Sequence, residues 1–463
     1  MSTTHSKAAK KFLKNKSYAE WHDNTFWGLR VKRDSMAHQL PEWERLREAA
    51  SGIKRHTLTN IDRYLEQFAE AAEKNGTIVH WAKDAEEMNQ TVLSILNDNG
   101  VKKIVKSKSM LTEECEMNPY LEEHGIEVVE TDLGERILQL DHQRPSHIVV
   151  PATHLSHDDV GHIFERELHT DPKNHDPAYL TYEARLSLRD EFLTAGAGLT
   201  GANFGIAETG DIVVCTNEGN ADMSTSVPKL QISVIGMEKI IPDYDALSVF
   251  VRLLARSATG QPSTVYTSHF RKARPGAAPM HIVIVDNGRS DWLADQEHWE
   301  TLKCIRCGSC MNTCPVYRWS GGYSYSYFIP GPLGVNLGML RDPRKYAGNV
   351  SACTLCLSCQ NTCPVKVNLG EQIYLWRQKL DSLGVANKEK KMICSVMDKV
   401  LDNPSLYNKL TGCASVINHL PAFMIENGLN PWAYGHKMMK FPPKPFHSLI
   451  KEYQKKENDS KDL

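Results

Sequence analysis

The sequence contains no apolar run that approaches the roughly 20 consecutive residues of a membrane-spanning helix. Residues 1–16 are polar and rich in lysine, without the apolar core of a secretory signal peptide. Neither sign of charge is in large excess, because 54 Lys and Arg residues face 56 Asp and Glu residues. These absences disfavour integral membrane proteins, secreted proteins and nucleic-acid-binding proteins. We expect a cytoplasmic protein, for which peripheral membrane association stays open.

Cysteine is scarce outside one stretch of the chain. The 463 residues contain 12 cysteines, and most of them fall between Cys304 and Cys363. The remaining cysteines share no motif with one another, and we expect them to be ordinary buried thiols. They are Cys115, Cys215, Cys394 and Cys413.

The clustered cysteines form two copies of the pattern C-x2-C-x2-C-x3-C-P. The first copy is Cys304-Ile-Arg-Cys307-Gly-Ser-Cys310-Met-Asn-Thr-Cys314-Pro315, and the second is Cys353-Thr-Leu-Cys356-Leu-Ser-Cys359-Gln-Asn-Thr-Cys363-Pro364. A zinc site would leave the middle cysteines and both prolines unexplained. Disulfides belong mainly to small secreted domains. The repeated spacing therefore predicts two 4Fe-4S clusters.

The same pattern predicts crossed ligation, in which three thiolates of one copy bind a cube and the fourth binds the other cube. One cube would be bound by Cys304, Cys307, Cys310 and Cys363. The other would be bound by Cys353, Cys356, Cys359 and Cys314. Two cubes held in this way can pass single electrons to each other.

Upstream of the cysteines, short apolar strands alternate with helices. Strand, helix, strand order is typical of an open, largely parallel α/β sheet. The predicted strands are 78–81, 101–105, 126–130, 147–151, 231–237, 264–268 and 281–285, with a hairpin over 204–216. The predicted helices are 84–99, 157–168, 177–195 and 244–258.

Two polar loops follow predicted strands, where ligands of such sheets bind. The first is Lys106–Thr112 and the second is Asn217–Asn220. In the second loop Gly219 permits a positive φ, so that the flanking side chains can point into one place. A solvated loop with two surface lysines would explain the first loop equally well.

The stretch Gly196–Gly201 fits the GxGxxG pattern of dinucleotide-binding folds. That fingerprint requires a strand before the glycines and a helix after them. Here a predicted helix precedes and the hairpin follows. We interpret the glycines as a tight turn from helix to strand.

The flanking regions are predicted to be helical. Residues 1–75 place apolar side chains at helical spacing, and the long segment 317–350 between the motifs suits a helical two-cluster module. The polar, lysine-rich tail from residue 451 is expected to be disordered. We divide the chain into an N-terminal helical region (1–75), an α/β domain (76–290), a two-cluster ferredoxin-type domain (291–384) and a helical C-terminal extension (385–463).

The hairpin stretch Thr200–Gly210, together with Asn217–Asn220 and Lys106–Met110, resembles the LUD domain. A LUD domain followed by the two cysteine motifs resembles the lactate utilization protein B family, the iron-sulfur subunits of bacterial L-lactate oxidation systems. Leu357 stands where the family often has Gly. The resemblance implies a fold similar to the NagB/RpiA/CoA-transferase group, electron transfer during oxidation of L-lactate to pyruvate, two partner subunits and an unidentified electron acceptor.

The resemblance and the loop positions together predict a small anionic or nucleotide-like ligand in the α/β domain. The sequence does not identify any additional organic cofactor, and it marks no His-Arg pair for a hydroxy acid. We expect partner docking at Tyr323–Leu333, an aromatic-rich segment near the clusters. The predicted ligand-binding residues are Lys106, Ser107, Ser109, Glu208, Thr209, Asn217, Glu218, Gly219 and Asn220.

Two other classes of function stay open. The α/β domain could be a transferase or isomerase for a small anionic substrate, with Lys106 or Glu208 as the reactive group, because fold does not fix function. Alternatively, the chain could be a scaffold or redox sensor whose clusters are structural. Reversible cluster reduction would distinguish a carrier from a scaffold.

Overall fold

The computed structural model describes residues 4–385, 388–425 and 440–461. The chain forms two compact units, Met1–Leu383 and Gly384–Leu463. The first unit contains the N-terminal helices, the α/β region and both cysteine motifs. The domain boundaries predicted inside it, at residues 75 and 290, stay predictions.

The first unit combines ten strands with helices throughout its described residues. The strands are β1 Ile78–Ala82, β2 Lys103–Lys106, β3 Glu127–Glu130, β4 Ala197–Thr200, β5 Phe204–Ile206, β6 Asp211–Thr216, β7 Leu230–Gly236, β8 Ile240–Ile241, β9 Tyr266–Phe270 and β10 His281–Val285. The helices before the first motif are α1 Thr4–Phe12, α2 Lys16–His38, α3 Trp43–Thr59, α4 Ile61–Lys74, α5 Ala85–Asp98, α6 Met110–Glu114, α7 Met117–Glu123, α8 Leu133–Leu140, α9 His157–Leu168, α10 Pro177–Thr194, α11 Asn220–Ser226, α12 Tyr244–Ala258 and α13 Arg289–Ala294. Those of the cysteine region are α14 Ser309–Thr313, α15 Pro315–Ser320, α16 Gly331–Arg341, α17 Pro343–Ala352, α18 Ser358–Thr362 and α19 Leu369–Ser382.

The main sheet has the strand order β1-β10-β7-β4-β2-β3, and every neighbouring pair is parallel. All residues of β7 are buried, as expected for a central parallel strand that is covered on both faces. The prediction of an open parallel α/β sheet is therefore confirmed. The carboxyl ends of its strands, where ligands of such sheets bind, lie at one edge.

A second, smaller sheet has the order β8-β5-β6-β9. It is built on the predicted hairpin, because β5 and β6 pair antiparallel and β9 pairs antiparallel with β6. Phe204 of β5 stacks on Phe250 of α12 with the ring centroids 5.1 Å apart. The sequence predicted the hairpin but not that it would form a separate sheet.

Two local predictions in the α/β region are wrong. The stretch His147–Pro151 consists of bends and turns instead of a strand, because the backbone N–H groups of Val149 and Val150 both donate to His147 Nδ1 at 3.1 Å. The interpretation of the GxGxxG glycines as a turn holds only for Gly196, which lies in the bend between α10 and β4, whereas Gly198 lies in β4 and Gly201 directly follows it. A Cβ on Gly198 would lie 1.6 Å from the Ser224 carbonyl oxygen, so glycine lets α11 pack directly on the strand.

The N-terminal helices α2 and α3 pack against the cysteine region. Arg33 donates to the Thr362 carbonyl at 2.8 Å. Arg47 donates from Nη2 to the carbonyls of Asn361 and Cys363 at 2.9 and 2.8 Å. The predicted N-terminal helical region is therefore helical and belongs to the same compact unit as the motifs.

The second unit is helical in its described residues, with α20 Lys388–Leu401, α21 Pro404–Cys413, α22 Ala422–Ile425 and α23 Phe446–Lys461. The predicted disorder of the tail is wrong as far as Lys461, because Phe446, Leu449, Ile450 and Tyr453 recur at helical spacing. None of the helices described anywhere in the chain is long and apolar enough to cross a membrane.

Candidate iron-sulfur centres and the adjoining cavity

The two cysteine motifs share the same backbone path. Arg306 and Leu355, each before the second cysteine, have φ of 61° and 55°. Gly308 and Leu357, each after the second cysteine, have φ of 76° and 59°. These left-handed residues turn the chain sharply, and a short helix, α14 or α18, then carries the third cysteine. The repeated spacing therefore encodes a repeated loop.

The first group of thiols brings the fourth cysteine of the second motif to the first three cysteines of the first motif. Burial is the main cause that raises the pKa of Cys307 to about 12, and the neighbouring thiols of Cys363 and Cys304 contribute to this shift. Burial also raises the pKa of Cys310. The neighbouring thiols that add to this shift are Cys304, Cys307, Cys359 and Cys363. Cys363 thus lies beside the first motif.

The second group is the reciprocal arrangement. Burial is the main cause that raises the pKa of Cys314 to about 11, and the neighbouring thiols of Cys353 and Cys356 contribute to the rise. Burial raises the pKa of Cys359 as well, with Cys314 first among the neighbouring thiols that add to the shift. Cys314 thus lies beside the second motif.

The chemistry of these groups fits two 4Fe-4S clusters. Buried thiols with raised pKa values stay protonated in the absence of metal. Iron displaces the protons when it binds, because the ligand is the thiolate. Backbone N–H groups donate to sulfur at 3.3 Å from Arg306 to Cys304, from Leu355 to Cys353 and from Val367 to Cys363. Such bonds stabilise thiolate ligands and tune cluster potentials.

The surroundings of the two loops differ. A Cβ on Gly308 would lie 3.1 Å from His147 Cε1 and from Val149 Cγ2, so the turns of the α/β region press on the first motif. In the second motif Cys356 is exposed and Leu357 is 43% exposed. The second loop therefore has room for a side chain at Leu357, which lies partly in solvent and partly against Gly370 of α19.

A cavity of about 240 Å³ lies between the strand ends of the α/β region and the first cysteine motif. Both predicted loops line it, and so does the first motif. The loops contribute Ser107, Ser109, Asn217, Glu218 and Asn220, and the motif contributes Ile305, Arg306 and Cys307. The cavity therefore ends on one of the eight motif cysteines.

Part of the predicted ligand-binding set lies outside the cavity wall. Lys106 Nζ is fully buried, 2.5 Å from Glu130 Oε1 and 3.6 Å from Glu113 Oε1. Burial alone would lower the pKa of Lys106, but these carboxylates hold it above its ordinary value. A lysine that stays charged and paired is a poor nucleophile, which argues against its role as the reactive group of a transferase.

The remaining predicted residues outside the wall belong to turns. Glu208 and Thr209 lie in the turn between β5 and β6, where Asn75 donates to the Thr209 carbonyl at 2.9 Å. Gly219 is the N-cap of α11 with φ of 71° and supplies the bend that presents its neighbours. These positions shape the loops but do not line the cavity.

A charged network that was not predicted from the sequence forms part of the cavity wall. Arg289 is buried and donates to Glu114 Oε2 at 2.8 Å and to Glu238 Oε2 at 2.5 Å. Lys239 donates to the Cys304 carbonyl at 3.1 Å, and burial lowers its pKa to about 8. Glu238 and Lys239 follow β7 directly, so the strand-end rule that selected the other loops could have found them.

The segment predicted to dock a partner, Tyr323–Leu333, is less exposed than expected. Tyr323 is 48% exposed, but Tyr325, Ile329 and Leu333 are almost completely buried. The segment Tyr323–Leu333 is therefore mainly core packing around the motifs.

Comparisons with known proteins agree with this architecture. The family model for the LUD domain matches residues 65–286, and the model for the 4Fe-4S dicluster domain matches residues 300–367. The chain is thus an iron-sulfur protein that joins a LUD domain to two 4Fe-4S clusters, as the sequence predicted.

Similar curated proteins cover most of the chain. Lactate utilization protein B of Anoxybacillus flavithermus is 40% identical over 89% of this chain and 87% of its own length. The same-named protein of Geobacillus thermodenitrificans is 44% identical over 81% of this chain and 80% of its own. The uncharacterized electron transport protein YkgF of Escherichia coli is 37% identical over 92% of both chains. The chain belongs to the lactate utilization protein B family.

Proposed function

We propose that the chain is the iron-sulfur electron-transfer subunit of a complex that oxidises L-lactate to pyruvate. The observation that carries the proposal is the cavity, whose wall joins the strand-end loops to Cys307. A ligand bound there would lie beside a cluster ligand. The names of the relatives, lactate utilization protein B and electron transport protein, agree with this role.

The proposed ligation is crossed. Cys304, Cys307, Cys310 and Cys363 would bind the first cube, and Cys353, Cys356, Cys359 and Cys314 would bind the second cube. The support is that the fourth cysteine of each motif lies beside the thiols of the other motif. Cys363 is close enough to Cys307 to add to its pKa shift, and Cys314 is close enough to Cys359 to add to its shift.

The proposed direction of electron flow follows from the surroundings of the cubes. The first cube adjoins the cavity through Cys307, and the second cube reaches the surface at Cys356. Electrons would therefore arrive at the first cube, pass to the second cube and leave near Cys356. A cube accepts one electron at a time.

Lactate oxidation to pyruvate releases two electrons and two protons, so a two-electron acceptor must divide the pair before the first cube. A partner subunit is the proposed holder of that acceptor. Of the ligand-binding residues predicted from the sequence, Ser107, Ser109, Asn217, Glu218 and Asn220 line the cavity, and these five are the proposed ligand contacts.

The test compares the isolated chain with the reconstituted complex. We expect anaerobically purified chain with both cubes to show no turnover of L-lactate with an artificial electron acceptor. Addition of the partner subunits should produce turnover and reduce both cubes. Robust lactate oxidation by this chain alone would contradict the proposal, as would a complex in which lactate leaves both cubes oxidised.

A further inference from the structure

We propose that Arg306 is an anion-binding residue, which holds the carboxylate or phosphate of an organic ligand in the cavity beside the first cube. Arg306 lies between Cys304 and Cys307 and lines the cavity. The inference rests on the function proposed above for the role of that ligand. It adds a binding residue supplied by the cysteine motif itself.

The guanidinium of Arg306 is poorly paired inside the protein. Its side chain is 14% exposed, and the Nη1 atom is buried without a hydrogen-bond partner. Arg306 forms only a loose ion pair with Glu238, whose Oε1 lies 3.8 Å from Arg306 Nη2, beyond hydrogen-bond distance. A buried charged donor without an acceptor is unfavourable. An anion in the cavity would supply the missing acceptor.

The strand-end loops that line the cavity contain two further buried polar atoms without partners. They are Ser107 Oγ, directly after β2, and Asn220 Oδ1, at the start of α11. Both residues are less than one-tenth exposed. The Ser107 hydroxyl can donate to an anion. The Asn220 Oδ1 can accept from a hydroxyl of the ligand, or, with the amide flipped, Nδ2 can donate to the anion. Buried polar groups without partners therefore come from both the cysteine motif and the strand-end loops.

The carboxylates of the wall are already occupied. Glu114 and Glu238 accept from the buried Arg289, and Asp132 accepts the backbone N–H groups that begin α8. Glu218 accepts the backbone N–H of Asn217. Lys108 and Lys239 donate hydrogen bonds to the backbone carbonyls of Val149 and Cys304. Their carboxylate partners, Glu135 and Glu238, each lie 3.9 Å away, beyond hydrogen-bond distance. The balance of free donors favours a negatively charged group.

The second motif shows that the cluster loop itself does not require arginine. Leu355 occupies the equivalent position with φ of 55°, close to the 61° of Arg306. Its backbone N–H donates to Cys353 Sγ at 3.3 Å, just as that of Arg306 donates to Cys304 Sγ. The guanidinium therefore adds something other than the turn.

The size and chemistry of the cavity limit the ligand. At about 240 Å³ it is smaller than the roughly 300–1,000 Å³ of sites for drug-sized ligands. It suits a small organic acid or the anionic end of a larger cofactor. Arginine binds carboxylate and phosphate in the same two-pronged manner, so the experiment uses one probe of each kind.

The test measures binding of pyruvate and of inorganic phosphate to full-length, anaerobically isolated holoprotein. Equilibrium dialysis gives the affinity, and the electron paramagnetic resonance spectrum of the reduced first cube reports whether the probe lies beside it. We compare wild type with Arg306→Leu, which copies the second motif, with Arg306→Lys, and with Ser107→Ala. Arg189→Leu is the control for charge, because Arg189 is exposed on α10.

We expect at least one probe to bind wild type and Arg189→Leu equally and to shift the spectrum of the first cube. Arg306→Leu should weaken that binding about 10- to 100-fold, the effect of losing a hydrogen bond to a charged group. Arg306→Lys should fall between them, because lysine keeps the charge without the paired donors. Ser107→Ala should weaken binding less than Arg306→Leu.

The proposal is overturned if neither probe binds wild type, or if Arg306→Leu with full iron content binds as wild type does. If Arg306→Leu does not retain its iron, the decision rests on Arg306→Lys and Ser107→Ala. The proposal is overturned if both of these variants bind the probe as tightly as wild type does. Loss of probe binding in a variant, combined with no lactate-driven reduction in the wild-type complex, would instead retain the anion site and reject the proposed function.

Discussion

The two cysteine motifs have the same spacing and the same left-handed residues, yet they lie in different surroundings. At the first motif, a Cβ on Gly308 would lie only 3.1 Å from His147 and from Val149, and the loop lines the cavity. At the second motif Cys356 is exposed and a leucine occupies the position of the glycine. The comparison teaches that the spacing selects the kind of cluster, while the neighbouring elements give each cluster its role.

The largest expected effect comes from exchanging the fourth cysteine of either motif. Cys314→Ser should lose the second cube and retain the first, because Cys314 lies beside Cys353 and Cys356. Cys363→Ser should do the reverse. Each variant should keep about four of the eight irons of two cubes. Iron analysis and electron paramagnetic resonance provide the measurement.

The pair is its own control, since both variants remove one thiolate from a C-P step. If Cys314→Ser destroyed the cube of Cys304, Cys307 and Cys310, ligation would not be crossed and the grouping of the thiols would be wrong.

The second effect compares alanine at the two equivalent loop positions. Gly308→Ala should lower the free energy of unfolding by about 1–3 kcal/mol, because the new Cβ meets a packed surface and alanine is strained at φ of 76°. Leu357→Ala should change it by less than about 1 kcal/mol, because that side chain is 43% exposed. Anaerobic denaturant titration measures both. Equal losses would show that the two loops are equally constrained.

The smallest effect concerns cations that bind cysteine carbonyls. Arg47 donates to the carbonyl of Cys363, and Arg377 donates to that of Cys353. A nearby positive charge stabilises the reduced, more negative cube, by about 0.5–1 kcal/mol after solvent screening.

Arg47→Leu should therefore lower the potential of the first cube by about 20–40 mV, given that roughly 59 mV corresponds to 1.4 kcal/mol for one electron. Arg377→Leu should lower that of the second cube. Redox titration followed by electron paramagnetic resonance separates the two. A shift of the same cube in both variants would contradict the assignment of the carbonyls to different cubes.

Local patterns in the sequence predicted much of the fold. Buried parallel strands such as His281–Val285 are continuous apolar runs, and the helix Tyr244–Ala258 has clear periodicity, so their bounds match the structure. The stretch His147–Pro151 failed because its conformation depends on a side chain that accepts backbone N–H groups and contacts Asn312, far away in the chain. Contacts of that kind leave no local pattern.

In the candidate site, too, local patterns were predicted correctly and contacts between distant residues were not. Spacing identified the cysteines, and the strand-end rule selected loops that do meet at one cavity. Lys106 was selected for its position after a strand, but its pairing with Glu130 depends on a neighbouring strand and cannot be read from the loop itself. Arg306 was overlooked because the motif drew attention to its cysteines, although its difference from Leu355 was visible in the sequence.

The order of the two cubes in electron flow can be tested most directly with the fourth-cysteine variants, each reconstituted with its partner subunits and given L-lactate without an electron acceptor. In Cys314→Ser, which should retain the first cube, lactate should still reduce that cube, while transfer to an added acceptor stops. In Cys363→Ser, which should retain the second cube, lactate should leave that cube oxidised although dithionite reduces it. Normal reduction of the second cube by lactate in Cys363→Ser would contradict the account.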